Sequence, residues 1–216
     1  MERMSVCIVV LGGHRCGTSA VAGVLYHLSV FMGYRLLGAG RYNVRGHWED
    51  RTFLEHHKKI VGGVLRWKKP RVNFEPCRQA YGQLVRRREA EHKLWGFKDP
   101  RTIFVFPHFL EVAKCEVRVI NIWRDLEASA HSMWKRRGKK ATSHVNVDLD
   151  EAREIAKRYR RKHMQVLKAW EGERLDLRYG RLCRIPGREV NRVAAFVGVP
   201  PKGKAVRFID PKLRHF

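Results

Sequence analysis

The run Gly12-Gly13-His14-Arg15-Cys16-Gly17-Thr18-Ser19 sets glycines, a guanidinium and two hydroxyls between a short apolar segment, 5–11, and a helical pattern. A strand, a glycine turn and a helix start together form an anion cradle. Backbone N–H groups converge there, and the helix dipole adds partial positive charge. The spacing Gly12-x4-Gly17-Thr18-Ser19 is nearly that of a Walker A loop, but Thr18 stands where the lysine would be and Arg15 lies inside the loop. Such a loop suits a phosphate-like group without serving ordinary nucleotide triphosphate hydrolysis. Cys16 raises the question of a thiolate nucleophile, because a helix N-terminus can lower a thiol pKa. A phosphatase would need an arginine six positions on, where Ala22 stands, so Cys16 reads as a small residue filling the loop.

Two further charged clusters, Lys98-Asp99-Pro100-Arg101 and Arg124-Asp125, follow short apolar runs of the same kind. The strand candidates are 6–11, 94–97 and 117–123, with a fourth at 175–179. Helical patterns lie at 18–31, 53–64, 79–92, 126–135, 149–170 and 189–197. This alternation implies an α/β fold, P-loop-like and three-layered, with a central, mostly parallel sheet and helices on both faces. Ligands of such sheets bind beyond the carboxyl ends of the strands, so the polar ends of the three strands are expected to share one site. Asp148 is a helix N-cap with Glu151 as its capping-box partner. The stretch 138–146, opening on Lys139-Lys140, reads as a mobile loop. Pro200-Pro201-Lys202-Gly203-Lys204 reads as a linker into a C-terminal tail, 199–216, of a single domain spanning 1–216.

Composition bounds the function. With 216 residues, 44% hydrophobic and 31% charged, the chain can build a sizeable core. Its apolar runs are strand-sized, and the N-terminus lacks the apolar core and cleavage site of a signal peptide; a cytoplasmic protein without a membrane span is expected. The five cysteines, Cys7, Cys16, Cys77, Cys115 and Cys183, contain no Cys-x-x-Cys and suggest neither a disulfide framework nor a zinc site. The 45 basic against 21 acidic residues give a net charge of +24. That balance points to anionic partners: an anionic cofactor with an anionic acceptor, or nucleic acid as a secondary partner. Individual basic runs, such as Arg86-Arg87-Arg88, read as solvated surface.

Taken in order, these pieces resemble the sulfotransferases that use 3′-phosphoadenosine 5′-phosphosulfate (PAPS). That family's loop has the form Lys/Arg-Ser-Gly-Thr-Thr/Ser, and Arg15-Cys16-Gly17-Thr18-Ser19 is similar to it, with Cys16 in place of serine. The resemblance implies that Gly13, His14, Arg15, Cys16, Gly17, Thr18 and Ser19 hold the phosphosulfate. It also implies that Arg124 and Ser132, eight residues apart, hold the 3′-phosphate. Tyr179, in Arg178-Tyr179-Gly180-Arg181-Leu182 before Pro186, is a weaker match to a tyrosine near the adenine. The segments around Asn43 to Asp50 and Trp95 to Thr102 look like a bacterial-type branch. Lys98 matches a family lysine that contacts the donor or the transferred group.

The chemistry agrees with the resemblance. Sulfuryl transfer leaves charge on the bridging oxygen of the departing phosphate, and fixed cations and N–H donors there favour the transition state. Arg15, Lys98, the loop amides and the Thr18 and Ser19 hydroxyls are the candidates, and no metal is expected. The acceptor, a hydroxyl or an amine that includes sugars, needs a base. Many members use a histidine two residues after the lysine, but Pro100 occupies that position. Glu49 is the first candidate; Asp99 and His47 follow. Asp99 has an equal alternative as the ion-pair partner of Arg101 or Arg124, whereas His47 reads as a packed or surface residue ahead of a base. His56-His57 reads as an exposed helix face rather than a metal site. Lys202-Gly203-Lys204 and Arg207 stand where members often finish the 3′-phosphate site and could substitute there, but a solvated tail is the preferred reading. Trp67, Trp123, Trp134 and Trp170 are expected mostly in the core. Two other readings compete: a nucleotide or nucleoside kinase with a variant P-loop, and a basic nucleic-acid-binding protein.

Overall fold

The structure, a computed structural model, describes residues 4–40, 43–62, 69–135 and 147–213. The expected loop at 138–146 and Trp67 lie outside the described residues. Four strands, β1 (Val6–Leu11), β2 (Leu94–Lys98), β3 (Glu116–Trp123) and β4 (Arg174–Arg178), form one parallel sheet in the order β2-β1-β3-β4. Central β1 is buried on both faces. Cys7, Val9 and Leu11 enter one apolar cluster, and Ile8 and Val10 enter the other. Covering both faces is what makes a parallel strand apolar at every position.

One face is covered by α1 (Thr18–His27), α7 (Tyr179–Arg184), α8 (Pro186–Val197) and α9 (Gly203–Phe208). The other carries α2 (Arg51–Ile60), α3 (Arg78–Glu91), α4 (Thr102–Val112), α5 (Leu126–Trp134) and α6 (Leu149–Ala169). The fold is therefore a P-loop-like α/β sandwich, and all four strands are parallel. Asp50, Asp125 and Asp148 cap α2, α5 and α6 by accepting bonds from the N–H groups of Thr52, Ala128 and Glu151. Each such cap contributes about 1 kcal/mol.

Three departures from the sequence reading have physical causes. The first helix stops at His27 because Ser29 takes a left-handed φ of 70°. Phe31 then runs parallel to the edge of β2, where its carbonyl accepts from the Gly96 N–H at 2.8 Å. Helix α4 went unrecognised: it buries Ile103, Val105, Phe106 and Phe109 and contains Pro107, so neither a clean polar face nor a proline-free run announces it. The supposed solvated tail folds instead into α9. Ala205, Phe208 and Ile209 are buried, and the Phe208 ring packs so tightly on Gly23 of α1 that a Cβ there would lie 2.2 Å from it.

Candidate active site

The carboxyl ends of all four strands open into one cleft of about 500 Å³. Strand register decides what meets there. Val10 pairs with Lys98, which sets Lys98 beside the root of the glycine loop. Trp123 pairs with Arg178, so the next residues, Arg124 and Tyr179, emerge side by side. The Arg124 guanidinium lies 5.0 Å from the centre of the Tyr179 ring.

The loop reaches α1 through two left-handed residues, Arg15 (φ 64°) and Gly17 (φ 99°). For arginine this conformation costs about 1 kcal/mol or more. It turns the Arg15 carbonyl toward Arg124, which donates to it from Nη1 at 3.0 Å. The Arg15 side chain donates from Nε to Ser132 Oγ at 2.9 Å. Arg15, Arg124 and Ser132, assigned to two ends of one donor, thus form a connected set lining the cleft. Gly17 caps α1 with no side-chain cap bond, so the helix presents its first N–H groups to the cleft. A Cβ on Gly17 would fall 2.3 Å from the Tyr179 ring, so the tyrosine seats itself on the loop. Burial pushes the Tyr179 hydroxyl up to about 12, which keeps it protonated at neutral pH.

Opposite the arginines, Lys98 Nζ donates to Ser19 Oγ at 3.1 Å and to Glu49 Oε1 at 2.7 Å. The Lys98 side chain is 1% exposed and that of Glu49 13%. Ser19 holds the position whose hydroxyl carries Mg²⁺ in a Walker A loop. Here that hydroxyl accepts from an ammonium carried on β2, and Thr18 replaces the loop's own lysine.

The remaining candidates separate. His14 touches the cleft, but its ring bonds the Tyr159 hydroxyl of α6 through Nε2 at 3.1 Å. Gly13 and Cys16 line a smaller recess behind the loop, with Trp123, Ser129 and His163, rather than the main cleft. Burial raises the Cys16 thiol, against the lowering a helix N-terminus could give, and Sγ lies 3.7 Å from Ser129 Oγ. His47 lines the cleft, whereas Asp99 does not. Asp99 is 1% exposed and pairs with Arg101 Nη1 at 2.8 Å and His57 Nδ1 at 3.2 Å. Burial alone would raise its carboxyl, but Arg101 and His57 outweigh that and hold it well below the usual carboxylate range. The ion-pair reading of Asp99 therefore prevails over the base. His57, read as exposed, is fully buried. Lys202 bonds Ser29 Oγ at 2.6 Å, and neither it, Lys204 nor Arg207 lines the cleft. Phe208 and Asp210 line it instead, and Asp210 pairs with Arg45 at 3.2 Å. The sequence carried only a faint signal of this: an apolar pair, Phe208-Ile209, inside a basic tail. Among the described residues no cluster of three or more His, Cys, Asp or Glu side chains could hold a metal, and no helix is long and apolar enough to cross a membrane.

Solved structures with a similar fold exist. A sulfotransferase domain from the Synechococcus olefin synthase is similar over 99% of this chain and 87% of its own, with a TM-score of 0.56 at 15% identity. The sulfotransferase domain from the curacin biosynthetic pathway matches with a TM-score of 0.58 at 17% identity, over 94% of this chain and 77% of its own. The fold is that of sulfotransferase domains. A sulfotransferase from Mycobacterium avium, with a TM-score of 0.52 at 16% identity, covers 98% of this chain and 68% of its own. No protein-family model matches the chain, and no curated protein matches it.

Proposed function

We propose that this sulfotransferase-like chain is an enzyme that moves a sulfuryl group from PAPS to a hydroxyl or amine acceptor. The observation that carries this reading is the Lys98 ammonium bonded to Ser19 Oγ. In a P-loop kinase that hydroxyl helps hold Mg²⁺ against the transferring phosphate. A chain-borne cation in that direction fits a donor whose leaving phosphate is met by side chains, and it disfavours the kinase reading.

The cleft also offers what a bisphosphorylated nucleotide needs. Arg124 and Ser132 would hold the 3′-phosphate, with arginine suited to forking onto two oxygens. The start of α1 and Arg15 would hold the 5′-phosphosulfate. Tyr179, seated on Gly17, would border the nucleoside. Glu49 would accept the acceptor's proton as the new bond to sulfur forms and the bond from sulfur to the phosphate oxygen breaks. Arg15 and Lys98 would then face the charge left on that oxygen, the setting in which fixed cations contribute most. The basic balance of the whole chain favours an anionic acceptor, with nucleic acid as a secondary partner.

Calorimetric titration with adenosine 3′,5′-bisphosphate, run beside ATP with magnesium, tests the reading. Tight bisphosphate binding that is lost in Arg124→Ala supports it. Binding of ATP with magnesium alone would overturn it in favour of the kinase.

A further inference from the structure

The side chains at the Lys98–Glu49 pair are each followed in sequence by an aspartate in a buried ion pair. Asp50, after Glu49, takes Arg88 Nη2 of α3 at 2.7 Å, with side-chain exposures of 1% and 4%. Asp99, after Lys98, takes Arg101 and His57. His57 lies on α2, the helix that Asp50 caps, and its Nε2 meets the Tyr81 hydroxyl of α3 at 2.9 Å. An anionic Asp99 only accepts, so Nδ1 of His57 carries the proton to it. Burial holds the Tyr81 hydroxyl protonated, so it can donate to Nε2. The line Tyr81–His57–Asp99 therefore ties α3, α2 and the end of β2 beneath the cleft, and neither His57 nor Asp99 lines the cleft itself.

We propose that His57 is a positioning residue: through Asp99 it fixes the end of β2 against α2, so that Lys98 and Glu49 meet. The inference rests on the sulfotransferase reading only for its kinetic arm. Its physical arm is the protection of the Lys98 amine.

The test compares three variants in the full chain. His57→Leu removes both bonds. His57→Asn combined with Tyr81→Phe keeps a donor toward Asp99 without stranding the tyrosine hydroxyl. Val85→Ala, in the core of α3, serves as a stability control. Reductive methylation of Lys98, followed by mass spectrometry, should speed up about tenfold or more in His57→Leu, in line with loss of a buried charge-assisted contact. It should return toward wild type in His57→Asn/Tyr81→Phe and stay unchanged in Val85→Ala. Where transfer is measurable, kcat in His57→Leu should fall by about tenfold to a hundredfold, the scale of a small misplacement. Affinity for adenosine 3′,5′-bisphosphate should hold. Equal Lys98 protection in His57→Leu and wild type would overturn the proposal, as would equal deprotection in His57→Leu and Val85→Ala. Loss of bisphosphate binding in wild type would instead strike the sulfotransferase reading and leave the methylation result standing.

Discussion

The two sides of the cleft are held by different means. On the β1–β3 side, Arg15 and Arg124 are only half-buried and, with Ser132, bond one another across the loop. On the β2 side, Lys98 and Glu49 stand above buried ion pairs that do not line the cleft, Asp50 with Arg88 and Asp99 with Arg101, the last also bonded by His57. Contacts of the first kind can exchange for a ligand, because an anion takes over the donors. Contacts of the second kind cannot exchange, since an unpaired charge in the interior costs several kcal/mol. The difference makes for an adaptable β1–β3 side, where the proposed reading puts the nucleotide, and a rigid β2 side, where it puts the chemistry.

The largest expected effect tests the rigid side. Asp99→Ala takes the carboxylate from the Arg101 guanidinium and from His57 Nδ1 and should destabilise the fold by about 3–5 kcal/mol, read from the urea midpoint. The same carboxyl predicts an acid limb. Its folded pKa is below its unfolded one, so its contribution is complete above the unfolded value of about 3.9 and fades as pH falls below that. Asp99→Asn should flatten that part of the stability curve; an unchanged slope would place the acid limb elsewhere. Next come the cations that the proposed transfer sets at the leaving phosphate. Lys98→Ala and Arg15→Ala should each lower kcat by about a hundredfold or more in a protein that remains folded, measured by single-turnover transfer. Wild-type rates in both would remove them from the chemistry. On the adaptable side, Arg124→Ala should weaken bisphosphate binding by about 1.5–3 kcal/mol by calorimetry, with little change in stability. The smallest effect belongs to Cys16→Ser, which should leave bisphosphate affinity within about twofold and cost about 1 kcal/mol of stability or less. A large kinetic loss there would contradict a filler role for Cys16.

Much of this architecture was legible in the sequence, for reasons that differ by region. β1, β2 and the second half of β3 are short apolar runs ended by charges, as strands of a parallel sheet buried on both faces are, whereas edge strand β4, Arg174–Arg178, alternates charged and apolar residues. Arg15, Lys98, Arg124 and Ser132 are singled out by loop spacing, strand ends and the family resemblance, which are local features, and all four line the cleft. Their convergence in one cleft follows from parallel register. What escaped is non-local. Nothing adjacent to His57 shows that it faces Asp99, because that contact depends on how α2 docks on β2. Cys16 and Gly13 stand in the loop's sequence but turn behind it. Helix α9 is too short and basic to signal itself, and Phe208 is buried only by tertiary docking, on Gly23 and against the His27 and Trp48 rings.

The Lys98 ammonium has one more consequence. A divalent ion reaches its site by mass action, can be stripped by a chelator, and brings its own hydration shell. A charge tethered to β2 is present at full occupancy in every folded molecule, and its water was shed during folding rather than at each encounter with a ligand. The charge that Lys98 brings to Ser19 and Glu49 is thereby set by the fold, and it depends on whether the strand end stays in place.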